Sequence, residues 1–476
     1  MAQRRLGHVV LGVPSLTPSR ARAAIDPLLT GLAGLVADTP AEEIPEPVRR
    51  HACLVIADTL GVILGGSEEP EPRRLRTSAE RAPGPATILA SGFPRVEPWW
   101  AIVVNGLAGT TLELDEGHRF ARGHPGIHVV PAALAEAERL DVPGAALVGA
   151  VVLAYDVAAR LGGAGPVRAG MHMHGVHGTV GAAAAVARLR GLDRERTARA
   201  LGVAAGLTLA TSWRTALEGA TVRNAYAGVA GATGWLAVDL AEAGITSLPD
   251  MLGETFGRIS GTGLDAGAVL DGLGRRFEIT RNYFKRHACC RYSHPAIEAL
   301  ESLLTGAPLD AAGIVGVRVA TSALAATMDA REPVGALAAK FSIPYAIAAR
   351  LLLGHCGPEA FREPALSDSR VRALARRVEV VEDPALTALV PRLRPARVEV
   401  RLADGRVLAA QVDNPAGEFD RPYSLATLRE KFRALAAPVL GPVGAGPAWE
   451  RCLALGEGGR VRQLASGLSG VAGAAG

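Results

Sequence analysis

Charge of one sign, aromatic side chains and cysteine are all scarce in this chain, and each scarcity removes a class of protein. The 476 residues carry 51 lysines and arginines against 47 aspartates and glutamates, a formal charge of only +4. No basic run interleaved with aromatics is present to track a phosphate backbone, so nucleic acid is not an expected partner. Aromatic residues make up 4% and charged residues 21%, whereas 49% are hydrophobic. That aliphatic excess excludes a disordered chain. The five cysteines (Cys53, Cys289, Cys290, Cys356 and Cys452) are odd in number and lack C-x-x-C spacing. A disulfide framework and an iron–sulfur cluster are thereby excluded, and a reducing cytoplasm is the expected location. Long uninterrupted apolar runs are missing as well. The alanine-rich stretches 180–188 and 225–243 are broken by glycine and polar residues, so they read as buried helices and no membrane partner is expected. The N-terminal MAQRRLGHVVLGVPSLTPSR lacks a persuasive cleavage site and reads as a flexible lead.

A chain of this length exceeds what one hydrophobic core normally serves, which favours two domains or a helical body with an inserted module. From about 20 to 280, apolar residues recur at three-and-four spacing, as in EPVRRHACLVIADTLGVILGG and VPGAALVGAVVLAYDVAARLG. Pro45 and Pro47 mark the start of the first of these helices, and Gly65 and Gly66 its end. After about 280 the texture changes. AAGIVGVRVATSA, ALARRVEVVED and ARVEVRLADGRVLAAQVDN alternate apolar and polar residues, with Asp404-Gly405 as a hairpin signal. PAGEFDRP (415–422) is a loop, YSLATLREKFRALAAPVL returns to a helical period, and the terminal SGLSGVAGAAG should fray. The expected fold is mainly α: a large helical domain over 20–280, completed by 423–466, with a smaller α+β lid domain inserted over 281–422.

Histidine is the side chain that titrates near neutral pH and the commonest metal ligand. Eight of the eleven histidines fall in three short stretches, 118–128, 172–177 and 287–294. These stretches are expected to meet in one pocket between the helical body and the lid. The glycines Gly175, Gly178 and Gly181 would allow backbone amides to approach an anion ahead of a helix near 180, or would serve helix packing.

Six collinear segments carry a family resemblance: ADTLGVILGG (57–66), VNGLAGTTLELDEGHRFARGHPGIHVVPAALAEAE (104–138), HMHGVHGTVGAAAAVARLRGLD (172–193), NAYAGVAGATGWLAVDLAEAGIT (224–246), FKRHACCRYSHPAIEAL (284–300) and AKFSIPYAIAARLLLG (339–354). Read in order, they resemble the MmgE/PrpD family, whose reactions include 2-methylcitrate dehydration, cis-aconitate decarboxylation and iminodisuccinate epimerisation. The resemblance implies a homodimeric enzyme without metal or cofactor, acting on a small di- or tricarboxylate by moving a proton beside a carboxylate. Among the family's reactions the expectation leans to a 2-methylcitrate dehydratase-like hydro-lyase, with decarboxylation and epimerisation using the same opening step.

The resemblance also assigns residues. His124, in Gly123-His124-Pro125-Gly126, matches the family's HP motif, and His172 its second histidine; both are expected to transfer protons, His124 from a turn because Pro125 and Gly126 should break any helix. Lys285 and Tyr345 complete the expected catalytic set. Substrate contacts are expected from Glu113, Asp115, His118, Arg223, Arg291 and His294. Two departures from the family pattern stand out: Glu113-Leu114-Asp115-Glu116-Gly117 replaces D-[FY]-D-D-[ST], and Arg223 stands where many members have lysine. An arginine keeps the charge and can clamp a carboxylate but cannot readily act as a base. His174 and His177 are additional, and the H-x-H-x-x-H spacing leaves open a zinc site. Two readings from other classes therefore stay open: a metallohydrolase built on His118, His124, His172 and His174, and a catalytically lapsed binding protein.

Overall fold

The computed structural model describes residues 26–306 and 311–469. The N-terminal lead and the last residues of the 466–476 run lie outside them. Helix Glu46–Gly66 begins with prolines at Pro45 and Pro47, where a missing N–H costs nothing, and runs into the Gly65–Gly66 pair. It packs on Pro98–Thr111 and on Leu425–Leu453. Gly144–Gly163 is long and apolar enough to cross a membrane, yet it is buried among Glu46–Gly66, Pro125–Leu140 and His177–Leu189. Helices dominate the described residues, so the fold is mainly α.

The apolar interior falls into two large clusters. One joins residues from 28 to 284 with 428–468; the other spans 288–402 and takes in Val62, Leu112, Leu114, Ala216 and Leu435. The second holds a four-stranded sheet in the order Val378–Glu382, Ile314–Thr321, Ala396–Leu402, Val407–Val412. The first pair is parallel and the others antiparallel. Gly405 takes the left-handed conformation that the tight turn between the last two strands requires (φ +89°). Along Ala396–Leu402, residues 396, 398, 400 and 402 are buried, against helix His294–Gly306. All five cysteines are buried and unbonded.

Two features position the site. Helices Pro98–Thr111 and Val222–Glu242 cross in backbone contact: a Cβ on Gly228 would lie 2.4 Å from the Val103 carbonyl oxygen, and one on Gly106 would lie 2.3 Å from the Gly228 Cα. That approach sets Arg223, in the first turn of one helix, beside the loop that leaves the other. Further on, Gly117–His118 pairs antiparallel with Asn282–Tyr283, fastening the same loop to the start of the later segment. Gly228→Ala is expected to force the two helices apart and to destabilise the protein by about 1–3 kcal/mol, as overpacked cores do. A thermal midpoint unchanged from wild type would show that the crossing is looser than this.

Candidate active site

Three buried carboxylates lie within four residues of the loop that follows Pro98–Thr111: Glu113, Asp115 and Glu116. Glu113 holds a left-handed backbone (φ +55°), an uncommon conformation for a residue with a side chain. Buried carboxylates must be paired or protonated. The first two are paired. Glu113 Oε2 meets Arg223 Nη2 at 2.5 Å, and its Oε1 accepts from Lys285 Nζ at 2.9 Å. Asp115 Oδ1 lies 3.4 Å from Lys285 Nζ, and its Oδ2 lies 3.0 Å from His124 Nδ1. Burial works against both charges, but Arg223 and Lys285 hold the Glu113 carboxyl below its usual range, and His124 and Lys285 do the same for Asp115. Lys285 is in turn raised: burial opposes its charge, and Asp115 and Glu113 outweigh burial. Glu116 has no cation. Burial pushes its carboxyl up to about 8, against hydrogen bonds from Tyr155, the Gly126 amide and Asn282.

His124 stands at the N-cap of helix Pro125–Leu140. Pro125 begins that helix where the sequence suggested a break, because proline is tolerated at a first helical position. The imidazole Nδ1 donates to the Glu116 carbonyl oxygen at 2.7 Å beside Asp115. Nε2 is then the nitrogen left for proton transfer. His174 lies behind it, fully buried, with ring centroids 4.7 Å from His124, 4.8 Å from His172 and 5.4 Å from His128. The ring nitrogens of His172 face the His174 amide at 3.0 Å and Arg223 Nε at 3.3 Å. Burial and the Arg223 charge keep His172 neutral.

A cavity of about 180 Å³ opens over these groups, lined among others by Glu113, His124, His172, Arg223 and Arg291. It holds about six waters' worth of liquid at ~30 Å³ each, below the usual range for drug-sized ligands. A small acid fits such a space.

Of the residues singled out from the sequence, Asp115 and Lys285 stand behind the lining, joined to it through Glu113 and His124. Three sit elsewhere. His118 receives the Ala121 amide and lies 3.2 Å from Glu278, outside the cavity. His294 accepts from Arg291 Nη1 at 3.1 Å and meets the Cys289 carbonyl oxygen at 3.2 Å, so it supports Arg291 from behind. Tyr345 donates to the Ala360 carbonyl oxygen at 2.8 Å and packs on Phe361. Its position in the motif follows the start of helix Ile343–Leu353, whose Ser342 cap turns the ring into the core. Arg223 is less free than expected: besides Glu113 and His172 it faces the Thr110 carbonyl oxygen and Asn224 at 3.4 Å. The glycines Gly178 and Gly181 serve packing, since a Cβ there would strike the His128 ring or Ala158.

Sequence reasoning missed several lining residues: Tyr283, Trp213, Phe341, Arg122 and Arg394. Phe341 lay inside a quoted segment and Tyr283 immediately before one. Arg394 sits in a linker-like RLRPAR run that carries no local signal.

Residues 30–264 match the MmgE/PrpD N-terminal domain, and residues 287–453 match the MmgE/PrpD C-terminal domain. The chain belongs to the MmgE/PrpD family. Over 429 residues it is 25% identical to the cis-aconitate decarboxylase of Aspergillus terreus, with 84% of this chain and 87% of that protein covered. Over 442 residues it is 27% identical to the cis-aconitate decarboxylase-like protein oryM of Aspergillus oryzae, covering 86% and 90%. The human cis-aconitate decarboxylase is 25% identical over 373 residues, 75% and 76% of the two chains. These names support a lyase-type function on this scaffold.

The two departures noted in the sequence, Glu113 and Arg223, are one contact. Each single change, Glu113→Asp or Arg223→Lys, should therefore weaken activity, and the double variant should recover part of the loss; a cycle with no coupling would show that the pair acts independently. A second expectation concerns acid. Burial holds eight histidines (51, 118, 128, 172, 174, 177, 287, 294) below their usual value, with His128 at about 4 and His177 and His287 at about 3. Four carboxyls (Asp58, Glu116, Glu138, Asp156) are raised and work in the opposite sense. Below about 6.5 the unfolded chain gains histidine protons that the folded one refuses, each worth about 1.4 kcal/mol per pH unit. Because the eight histidines outnumber the four carboxyls, stability should fall from pH 6.5 toward pH 5; urea midpoints that are flat over this window would contradict the burial of these histidines as neutral rings.

Proposed function

We propose that this protein is a cofactor-independent lyase that removes CO₂ from a small tri- or dicarboxylate, with His124 supplying the proton that replaces it. The observation that carries the reading is His124 at the cavity, its Nδ1 held by the Glu116 carbonyl oxygen and Asp115, and guanidinium groups around it. Carboxylates that stay on the substrate lie toward arginine. The departing carboxylate lies toward the apolar wall of Trp213, Phe341 and Leu324, where loss of its hydration favours expulsion. As the C–C bond breaks, its electron pair passes to the adjacent carbon, delocalised toward a retained carboxylate; His124, which has first taken a solvent proton onto Nε2, gives that proton to the carbon and returns to the neutral ring. Asp115 orients the ring throughout, as a carboxylate does for a catalytic imidazole. Lys285 holds Glu113 and Asp115 in place and Arg223 shapes the wall, so both act through positioning. Segment 281–422 closing over the helical body as a lid belongs to the same proposal.

Decarboxylation is preferred over the 2-methylcitrate-type dehydration expected from family frequency, because the relatives that cover most of the chain are named decarboxylases. A metal-based reading keeps one observation in its favour: ligand atoms of Asp115, His124 and His174 lie within 4.8 Å of one another. Lys285 Nζ, 3.4 Å from Asp115, opposes a dication there.

The test is a panel of cis-aconitate, 2-methylcitrate, iminodisuccinate and simpler dicarboxylates in D₂O, scored for CO₂, water loss and deuterium at carbon. The expected outcome is CO₂ release with one deuterium incorporated, insensitive to chelators, and roughly 10²–10⁴-fold slower in His124→Ala. Water loss without CO₂ would assign a dehydratase. Stoichiometric zinc with chelator-sensitive turnover, or no labelling of any acid, would overturn the reading.

A further inference from the structure

Arg394 is a buried lining cation with no hydrogen-bonded carboxylate; Arg122 and Arg168, which line the same cavity without one, are exposed. Arg394 is 4% exposed and comes from the stretch that enters strand Ala396–Leu402, where Thr321 Oγ1 donates to the Pro395 carbonyl oxygen at 3.0 Å and fixes the chain. Its guanidinium carbon lies 4.8 Å from the centre of the Tyr283 ring and 5.1 Å from that of Tyr292. Both rings line the same cavity. Nη2 faces the Arg119 carbonyl oxygen at 3.4 Å, and Nη1 has no hydrogen-bond acceptor.

The charges around it do not cancel. Glu418 is shared: its Oε1 accepts from Arg291 Nε and Nη2, both at 3.2 Å, and stands 3.9 Å from Arg394 Nη1, while its Oε2 lies 3.7 Å from Arg119. Arg119 also has Asp420 at 3.1 Å. Three guanidinium groups thus face two carboxylates, and Arg394 is the one left beyond hydrogen-bond reach. A buried guanidinium in that position is strongly stabilised by an incoming anion, and its planar fork matches a carboxylate. Tyr283 links it to the chemistry, since its ring centre lies 6.2 Å from that of His124 on the one hand and under Arg394 on the other.

We infer that Arg394 anchors a substrate carboxylate remote from the reacting carbon and so makes the site selective for acids with three carboxylates over those with two. This rests on the polycarboxylate reading above. Arg394 binds ground state and transition state alike, so its loss should raise KM and leave kcat within a few-fold.

The direct test is calorimetric binding of unreactive propane-1,2,3-tricarboxylate and of glutarate, which lacks the middle carboxylate, to wild type, Arg394→Met and Arg394→Lys. Wild type should prefer the tricarboxylate. Arg394→Met should bind it roughly 10–100-fold more weakly, on the scale of a charged hydrogen bond, and lose the preference; Arg394→Lys, which keeps the charge and the fold, should fall between. Equal tricarboxylate binding by wild type and the folded lysine variant would overturn the inference while leaving the polycarboxylate reading intact. Binding that depends on Arg394 in a protein that turns over no acid would instead sink the decarboxylase reading and keep the anchor. No binding of either acid to wild type would sink both.

Discussion

The structure depends on neutralising two acids that the loop after Pro98–Thr111 carries into the interior. Glu113 and Asp115 are buried, and their charges persist because Arg223, Lys285 and His124 arrive from three other parts of the chain. Removing one partner of such a buried array typically costs about 3–5 kcal/mol, because the remaining charge is stranded. Each helix that delivers a partner is therefore held in position by the others. The glycine crossing at Gly106 and Gly228 brings Arg223 within reach, and the short pairing of Gly117–His118 with Asn282–Tyr283 brings Lys285.

The same array decides which imidazole can act. Burial silences most of the histidines, which pack as neutral rings. A helix start places His124 at the cavity, where Asp115 and the Glu116 carbonyl oxygen occupy its Nδ1. One oriented nitrogen beside guanidinium groups, in a space of about 180 Å³, suits the small-anion binding and single proton transfer proposed above.

Much of this was legible in the sequence, and the misses have physical causes. Helical periodicity, the proline start and glycine end of Glu46–Gly66 and the Asp404-Gly405 turn are local signals, and the structure carries each of them. The convergence of His124, His172, Glu113 and Arg223 was anticipated through family resemblance, since spacing alone does not bring residues 50 or 100 apart together. His118, His294 and Tyr345 went astray because motif position says which segment is near the site but not which way a side chain turns; a strand pairing, a supporting arginine and a helix cap settled those directions. Arg394 was invisible because its importance comes from a charge imbalance among Arg119, Arg291, Glu418 and Asp420, which only folding assembles.

The central claim is that Asp115 and the Glu116 carbonyl oxygen fix His124 with its proton on Nδ1, leaving Nε2 to exchange a proton with the substrate. Nitrogen-15 NMR of histidine-labelled protein, with His124 assigned by comparison with His124→Ala, reads this tautomer directly. The account predicts a protonated Nδ1 and a bare Nε2 in the neutral ring, with that pattern lost in Asp115→Asn. A neutral His124 protonated at Nε2 in wild type would contradict it.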